Sequence, residues 1–173
     1  PVVSVTKEVP QTGVSNNNWD VDSTAENYTR YNSAPATTLD FVGFDLSNAS
    51  YSSTSFSLSS QDAGPAGISF NTNGSKMFIV GFVGDAVYEY TLSTYFDVST
   101  ATFVQSFSIS GQSGQSRSLA FNTDGTKMFV VDFTDAEVNE YTLSTGFDVS
   151  TASFVDAFSV SSQESAPQGL AFN

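Results

Sequence analysis

The residues of this chain best suited to chemistry are acidic, and several of them recur in one short pattern. Asp45, Asp97 and Asp148 each follow a Phe and precede a hydrophobic residue and a Ser. A carboxylate beside hydroxyls can coordinate calcium together with backbone carbonyls. An Asp in such a position also accepts hydrogen bonds from backbone N–H groups two residues on, which stabilises a turn. Because each copy offers one carboxylate and calcium prefers several, we interpret the pattern as a turn, with calcium as the alternative.

Two glutamates, Glu89 and Glu140, form a second candidate constellation. Two carboxylates at a defined separation are the machinery of a glycosidase. These two, however, occupy the same place in successive copies of a repeated segment, and equivalent residues of a repeat usually serve the fold. We therefore interpret them as residues on the solvent face of a strand or as partners of Lys76 and Lys127. We expect no enzymatic activity.

Other kinds of site are excluded by composition. The sequence has no Cys and no His, which removes disulfides, thiol nucleophiles, Ser-His-Asp triads and zinc sites with the usual ligands. Its 18 acidic and 5 basic residues give a net charge of −13. This excess disfavours nucleic acids, which need clustered Lys and Arg, and anionic membrane surfaces. No segment approaches the roughly 20 apolar residues of a membrane span. We expect no cofactor, no nucleic-acid partner and no membrane insertion.

The elements that position these residues come from a repeat. Residues 70–109 return 51 residues later as 121–160, and 26 of the 40 positions are identical. A further copy begins at Gly169, and Phe44–Ser47 anticipates the recurring Phe-Asp pattern upstream. Repeats of this length indicate a solenoid, a propeller or an array.

Each copy divides into four short strands. Gly67–Phe70 alternates in the manner of a half-buried strand, and Lys76–Val80 is a near-continuous apolar run suited to burial on both faces. Val87–Leu92 forms the third strand, and Thr102–Ile109 alternates as the fourth. The same four segments recur in the next copy.

Tight turns separate the first two strands of each copy. Asn73-Gly74 and Asp124-Gly125 are strong hairpin signals, because both residues of such a pair tolerate a positive φ. A second turn is predicted around residues 84–85 and 134–135. Four strands in a unit of about 50 residues are the pattern of a β-propeller blade.

The motif F-N-T-[DN]-G-[ST]-K-M-F-[IV]-V resembles the first hairpin of WD40-like and YVTN-type propeller blades. The resemblance covers residues 39–173 and extends to repeat proteins of marine bacteria and to tail-fibre-like proteins of their phages. The Gly-His and Trp-Asp dipeptides of true WD40 repeats are missing, so the partners of those repeats do not carry over. The resemblance implies an all-β fold of β-propeller-type blades, each of four antiparallel strands, with about 2.6 blades and therefore an incomplete ring in this chain.

Ring closure needs about four to eight blades. We expect that this chain is part of a longer propeller, or that several chains complete one ring; three copies would supply about eight blades. A homo-oligomer or a larger virion or cell-surface assembly is the expected partner.

The first 38 residues do not repeat. They contain Trp19, Tyr28 and Tyr31, and we interpret them as an N-terminal arm or leader. The arm either wraps the same domain or attaches the repeats to a larger assembly through its aromatic residues.

Positions at which the copies differ are the predicted contacts for a ligand or partner. They are Asp85, Tyr88, Tyr95, Arg117 and Asp135, all placed in or beside loops, where rigid scaffolds carry recognition. The two tyrosines would stack on sugars or pack against a neighbour. Simple drift at solvent-exposed positions is the alternative.

The sequence thus predicts a non-enzymatic structural or binding module of a virion, such as a tail fibre, or of a microbial cell surface. Its location would be extracellular or on the virion, and a surface glycan is the expected ligand. The alternatives are a self-assembling scaffold and a propeller enzyme acting on polysaccharide.

Overall fold

The computed structural model describes residues 49–172, and the strands within them form two four-stranded antiparallel sheets. We call these sheets blade 1 and blade 2. Blade 1 consists of β1 (Pro65–Phe70), β2 (Lys76–Gly81), β3 (Ala86–Leu92) and β4 (Ala101–Ser108). Blade 2 consists of β5 (Ser116–Phe121), β6 (Lys127–Asp132), β7 (Glu137–Leu143) and β8 (Ala152–Ser159). The predicted all-β fold with blades of four antiparallel strands is confirmed.

Each blade is a meander in which sequential strands are neighbours. The β2–β3 turn and the start of β1 therefore lie at one edge, which we call the upper edge. The β1–β2 turn and the β3–β4 link lie at the opposite, lower edge. The same definition applies to blade 2, whose strands pair in the register of blade 1. Both blades have a bulge in the fourth strand, at Val104 and at Val155, opposite Glu89/Tyr90 and Glu140/Tyr141.

The hairpin turns at the lower edge differ in one respect from the sequence-based prediction. Gly74 and Gly125 have φ of 74° and 72°, but the residue before each glycine keeps a negative φ. The N–H of Gly74 donates to the carbonyl of Asn71 over 3.0 Å, which closes a longer turn than a two-residue hairpin. Only the glycine therefore uses its freedom to adopt a positive φ.

The second strand of blade 1 is buried on both faces, as its apolar run predicts. Met77, Phe78, Ile79 and Val80 are all buried. Because successive side chains of a strand point to opposite faces, this strand contributes to two separate apolar clusters. One cluster lies between the blades and the other lies on the outer face of blade 1.

The cluster between the blades is the larger one. It joins Phe78, Val80 and Val87 of blade 1 to residues of blade 2, and partly buried aromatic rings complete it. The blade 2 members of this cluster are Leu119, Met128, Val130, Tyr141, Leu143 and Val149. Burial of this apolar surface holds the two sheets face to face.

One aromatic contact between neighbouring units occurs twice. Phe107 of β4 meets Tyr141 of β7 edge to face, with ring centroids 5.7 Å apart and an interplanar angle of 84°. Phe56 meets Tyr90 in the same way, at 5.6 Å and 80°. Because Phe56 precedes Phe107 by 51 residues, residues 54–58 occupy, on the outer face of blade 1, the place that the fourth strand of a preceding blade would occupy.

The recurrent Phe-Asp pattern lies at the lower edge, in the β3–β4 link of blade 1 and in the β7–β8 link of blade 2. Asp97 and Asp148 accept hydrogen bonds of 3.0 and 3.1 Å from the N–H two residues on, and each precedes a 3-10 turn (Val98–Thr100 and Val149–Thr151). The predicted turn role of these two residues is confirmed. Asp148 also accepts from the Ser150 hydroxyl, and these donors hold the pKa of its carboxyl below the usual range.

Several predictions concern residues outside 49–172. Trp19, Tyr28, Tyr31, Asp45 and the boundary between an arm and the repeats are among them. Within the described range, no helix is long and apolar enough to span a membrane. No group of three or more acidic side chains among residues 49–172 is arranged to hold a metal ion.

Candidate functional site

Four of the five predicted contact residues lie at or near the upper edge. Asp85 and Asp135 belong to the β2–β3 turn and to its counterpart in blade 2, and Arg117 is the second residue of β5. Tyr88 lies on β3 and reaches toward this edge. Tyr95 lies in the β3–β4 link at the opposite edge, where 63% of it is exposed.

Arg117 occupies the centre of the upper edge, between two aromatic rings. Its guanidinium carbon lies 5.2 Å from the ring centroid of Phe82 and 4.9 Å from that of Phe133. Both distances fall within the range of a cation–π contact. Phe82 belongs to the β2–β3 turn of blade 1 and Phe133 to the β6–β7 turn of blade 2, so one cation bridges both blades at this edge.

The remaining hydrogen-bond capacity of Arg117 is largely free. One terminal nitrogen donates to Gln115 Oε1 over 3.1 Å. Nε is buried and finds no acceptor among the described residues. The equivalent positions in the neighbouring copies hold Ala66 and Gln168, so this cation is specific to blade 2. Arginine presents donors in a planar fork that matches a carboxylate or a pair of hydroxyls.

A buried carboxylate stabilises the upper edge of blade 1. Asp62 Oδ1 accepts from the N–H of Gly64 over 2.6 Å, and Oδ2 accepts from the N–H of Gly84 over 2.8 Å. The Tyr88 hydroxyl also donates to Oδ2, over 3.1 Å. One side chain thereby ties the β2–β3 turn to the loop that precedes β1.

Blade 2 uses a different residue for the same purpose. Asp132 accepts from the Ser113 hydroxyl and from the N–H groups of Gly114 and Gln115, at 3.0 and 3.1 Å. Its other oxygen accepts from the N–H of Asp135 over 2.7 Å. Burial by itself raises the pKa of the Asp132 carboxyl, but these donors outweigh it and hold the pKa below the usual range.

The two carboxylates arise from an exchange between equivalent positions. Asp62 corresponds to Ser113, and Gly81 corresponds to Asp132. A Cβ on Gly81 would overlap the Asp62 carboxylate, so the two residues compete for one place. In the sequence these are two separate differences between the copies, 19 residues apart, and only the fold brings the two side chains to one place.

Tyr88 is buried in the apolar cluster on the outer face of blade 1 and is not a surface residue. Only 7% of it is exposed, and its hydroxyl is engaged by Asp62. Burial, followed by the nearby Asp62 charge, raises the pKa of the Tyr88 phenol to about 12. The expectation that this ring stacks on a sugar therefore needs correction, because packing leaves the ring no free face.

The two turn aspartates differ in their surroundings. Asp85 is half-buried with a φ of 44°, and its carbonyl accepts from the N–H of Ile109 over 2.8 Å. Asp135 is exposed, and its carboxylate is free to interact with a ligand. Arg117, Phe82 and Asp135 therefore form the accessible part of the upper edge.

The two glutamates are partners of the predicted lysines. Lys76 Nζ lies 2.6 Å from Glu89, and Lys127 Nζ lies 2.6 Å from Glu140. The lysine-partner interpretation is confirmed for both. The solvent-face alternative is wrong for Glu89, because blade 2 covers this side chain and leaves 2% of it exposed.

Comparison with known proteins gives matches only among solved structures. No family model matches the chain, and no curated protein matches it. A functionally unknown protein from Desulfotomaculum acetoxidans is 17% identical, with a TM-score of 0.43 over 55% of this chain and 27% of its own.

Two further structures match to the same extent. The β-propeller domain of Cps50 (Swd1) from Myceliophteria thermophila is 13% identical, with a TM-score of 0.41 over 55% of this chain and 28% of its own. The periplasmic gluconolactonase PpgL of Pseudomonas aeruginosa is 14% identical, with a TM-score of 0.42 over 56% and 26%. The chain thus spans about a quarter of the length of these structures.

Proposed function

We propose that this chain is a non-enzymatic binding module that recognises a surface glycan at its upper edge. The observation that supports the proposal is the position of Arg117 between Phe82 and Phe133, at the junction of the two blades. Because rigid sheets hold both turns, the cation and the rings are fixed before a ligand arrives. Such preorganisation lowers the entropic cost of binding.

The chemistry of this edge suits a sugar. An aromatic ring offers its face to the apolar face of a pyranose, and a guanidinium donates to hydroxyl or carboxylate oxygens. The exposed carboxylate of Asp135 accepts from sugar hydroxyls. A sugar bearing a carboxylate would pair best with Arg117.

We place this activity outside the cell or on a virion, where a rigid repeat that displays loops serves attachment. The acidic composition supports this setting, since a net charge of −13 keeps copies soluble and apart. Individual contacts at such an edge are weak, and several copies in one assembly would multiply them into avidity.

The proposal is tested with a glycan array, followed by calorimetric titration of the best ligand against the full chain. We expect Arg117→Gln to weaken binding by about tenfold or more, and Arg117→Lys to weaken it less, because Lys keeps the charge but loses the planar fork. Lys127→Gln is the matched control, because it removes a cation from the lower part of blade 2 and is expected to leave binding unchanged.

Two results would contradict the proposal. One is an affinity that Arg117→Gln leaves intact, which would move the site away from this edge. The other is release of new reducing ends from a bound polysaccharide by the purified wild-type protein, which would make the chain an enzyme.

A further inference from the structure

Gln115 lies in the loop before β5 and contacts three parts of the upper edge through three different atoms. Its N–H donates to Asp132 Oδ2 over 3.1 Å, and its carbonyl accepts from the N–H of Phe133 over 3.1 Å. Its side-chain Oε1 accepts from Nη2 of Arg117, also over 3.1 Å. One residue therefore joins the buried carboxylate of blade 2 to one ring and to the cation of the proposed site.

The backbone contacts of this position belong to the fold, because blade 1 makes them with a glycine. Gly64 is the counterpart of Gln115. The N–H of Gly64 donates to Asp62 over 2.6 Å, and its carbonyl accepts from the N–H of Phe82 over 3.0 Å. The side chain of Gln115 is therefore not needed for these contacts.

Gln115 and Arg117 differ from the neighbouring copies together. In blade 1 the two positions hold Gly64 and Ala66, and Ala166 stands at the first of them in the following copy. Only the copy with a cation at the second position has a side-chain acceptor at the first. This pairing indicates that the two side chains act as a unit.

Gln115 also restricts the place available to the neighbouring ring. A Cβ on Gly64 would lie 2.7 Å from a ring carbon of Phe82, so in blade 1 the ring occupies the space beside this position. Gln115 has a Cβ there, and the Phe133 ring cannot take the same orientation. The centroid of the Phe133 ring instead lies 4.9 Å from the guanidinium carbon of Arg117. The side chain of Gln115 therefore constrains the ring of blade 2 as well as the cation.

Arg117 needs such a partner because its side chain is long. A free arginine side chain populates many rotamers, and fixing it on binding costs conformational entropy. The cation–π contacts favour a position between the rings, whereas a hydrogen bond also fixes the direction of the N–H groups. Ordering the side chain before a ligand arrives removes part of this cost from binding.

The acceptor that orients Arg117 is neutral. Neither of the two ion pairs among residues 49–172 includes Arg117. A carboxylate partner would bind the guanidinium more strongly, but it would also neutralise the charge and compete with an anionic ligand. An amide oxygen fixes the direction of one terminal nitrogen and leaves the positive charge for the ligand. Gln rather than Glu at position 115 therefore suits a site that binds an acidic sugar.

We propose that Gln115 is a positioning residue for the binding of acidic glycans at the upper edge. Its Oε1 orients the Arg117 guanidinium, whose uncompensated charge then meets the carboxylate of the sugar. This role rests on the proposed function. Gln115 should act only through Arg117, and a negative charge placed at position 115 should weaken the binding of acidic sugars more than that of neutral ones.

A first experiment measures the orientation of Arg117 without any ligand. The chain has two arginines, Arg30 and Arg117, so the Nε–H signal of Arg117 in a proton–nitrogen correlation spectrum is assigned by its loss in Arg117→Gln. Because the two rings flank the guanidinium, their ring currents should displace this signal from that of a free arginine. Gln115→Ala should move the signal toward the free value, whereas Gln115→Glu should keep it displaced.

Gln112→Ala is the matched control for this spectrum. Gln112 belongs to the same loop, and its side chain makes no hydrogen bond within residues 49–172, although its carbonyl accepts from Asn139. The Arg117 signal should therefore be the same in Gln112→Ala as in the wild type. Circular dichroism checks that each variant is folded.

A second experiment compares two forms of one glycan by calorimetric titration. The probes are the carboxylate-bearing glycan that binds best on the array and the same glycan with its carboxyl groups reduced to alcohols. Gln115→Ala should raise the dissociation constant of the acidic form by about threefold to tenfold, since Arg117 must then be ordered on binding. Gln115→Glu should raise it by about tenfold or more, and should affect the reduced form less, because the new carboxylate neutralises Arg117. Gln112→Ala should leave both constants unchanged.

A double variant separates positioning from a purely structural role. Once Arg117 is replaced by Gln, Gln115→Ala should cause no further loss of affinity. Equal losses from Gln115→Ala in the two backgrounds would overturn the proposal. An Arg117 signal that stays in place in Gln115→Ala would also overturn it, as would a wild-type protein that binds only neutral glycans.

Different results contradict the positioning role and the glycan-binding function. A wild-type protein that binds no glycan, or an affinity that Arg117→Gln leaves intact, contradicts recognition at the upper edge. The spectrum of Gln115→Ala then still decides whether Gln115 orients Arg117. Glycan binding that needs Arg117 but is unchanged in Gln115→Ala contradicts the positioning role alone.

Discussion

At the scale of single residues, two carboxylates stabilise the upper edge by accepting hydrogen bonds from groups of the nearby turns and loops. Asp62 in blade 1 and Asp132 in blade 2 each accept at least three hydrogen bonds from turn and loop groups. A buried N–H without an acceptor costs about 1–3 kcal/mol. The carboxylate is therefore needed at this place, whereas the sequence position that supplies it is open to change.

The exchange between the two blades can be reproduced in blade 1. Asp62→Ser should lower the free energy of unfolding by roughly 2–4 kcal/mol, because Gly64, Gly84 and Tyr88 lose their acceptor. Gly81→Asp alone should also destabilise, because its side chain overlaps Asp62. The double variant should recover most of the loss, as blade 2 does with Ser113 and Asp132. Urea unfolding of the wild type, the two single variants and the double variant gives the coupling free energy between positions 62 and 81. Additive losses in the free energy of unfolding would contradict the exchange.

Asp132 should make stability depend on pH in the acidic range. Its folded pKa is lowered, so its contribution is complete above the unfolded pKa, about 3.9. The contribution is lost as the pH falls through the lower folded pKa. The stability difference between wild type and Asp132→Asn should thus be constant near neutral pH and shrink below about pH 4. A difference that does not change down to about pH 2 would argue against this role.

At the scale of elements, the hairpin turn and the β3–β4 link of each blade form one unit. The Phe of the link rests on the glycine of the turn, and the N–H of Phe147 donates to the carbonyl of Gly125 over 3.0 Å. Both residues have a positive φ. The strained conformation of the link is therefore supported by the turn beneath it.

Gly125→Ala tests this unit. The new Cβ would overlap the Phe147 ring at a φ of 72°, so we expect a loss of about 1–3 kcal/mol in the free energy of unfolding. Gly111→Ala is the control, because nothing lies near its Cβ position and the change should stay within about 0.5 kcal/mol. Thermal and urea unfolding measure both. Equal effects of the two substitutions would show that the turn does not need its glycine.

At the scale of the whole molecule, packing of one blade on the next decides the character of equivalent residues. Glu89 and Glu140 share their sequence context, their register and their lysine partner. Blade 2 covers Glu89, and its Val149 N–H donates to this carboxylate. Glu140 lies on the open face and keeps its contact with water.

This pair gives a matched comparison of a covered and an open ion pair. Glu89→Ala should cost about 3–5 kcal/mol, because Lys76 and the Val149 N–H lose a buried partner. Glu140→Ala should cost about 0–1 kcal/mol, as exposed ion pairs do. Urea unfolding at one pH and salt concentration measures both. Similar losses would mean that blade packing adds little to the ion pair.

The sequence by itself determined the local structure of this protein. The turn residues and the periodicity of the apolar residues predict the eight strands and their division into blades. The Phe-Asp pattern predicts the turns that Asp97 and Asp148 stabilise. These features depend on neighbours a few residues away in the sequence. The tertiary structure alone decided that Tyr88 and Glu89 are buried, that Arg117 lies between two aromatic rings, and that Asp62 and Asp132 serve one purpose. Each of these features depends on distant groups, most of which belong to another strand or to the next blade. Equivalent residues of the repeat share their sequence context, but the packing of one blade on the next gives them different burial and different contacts.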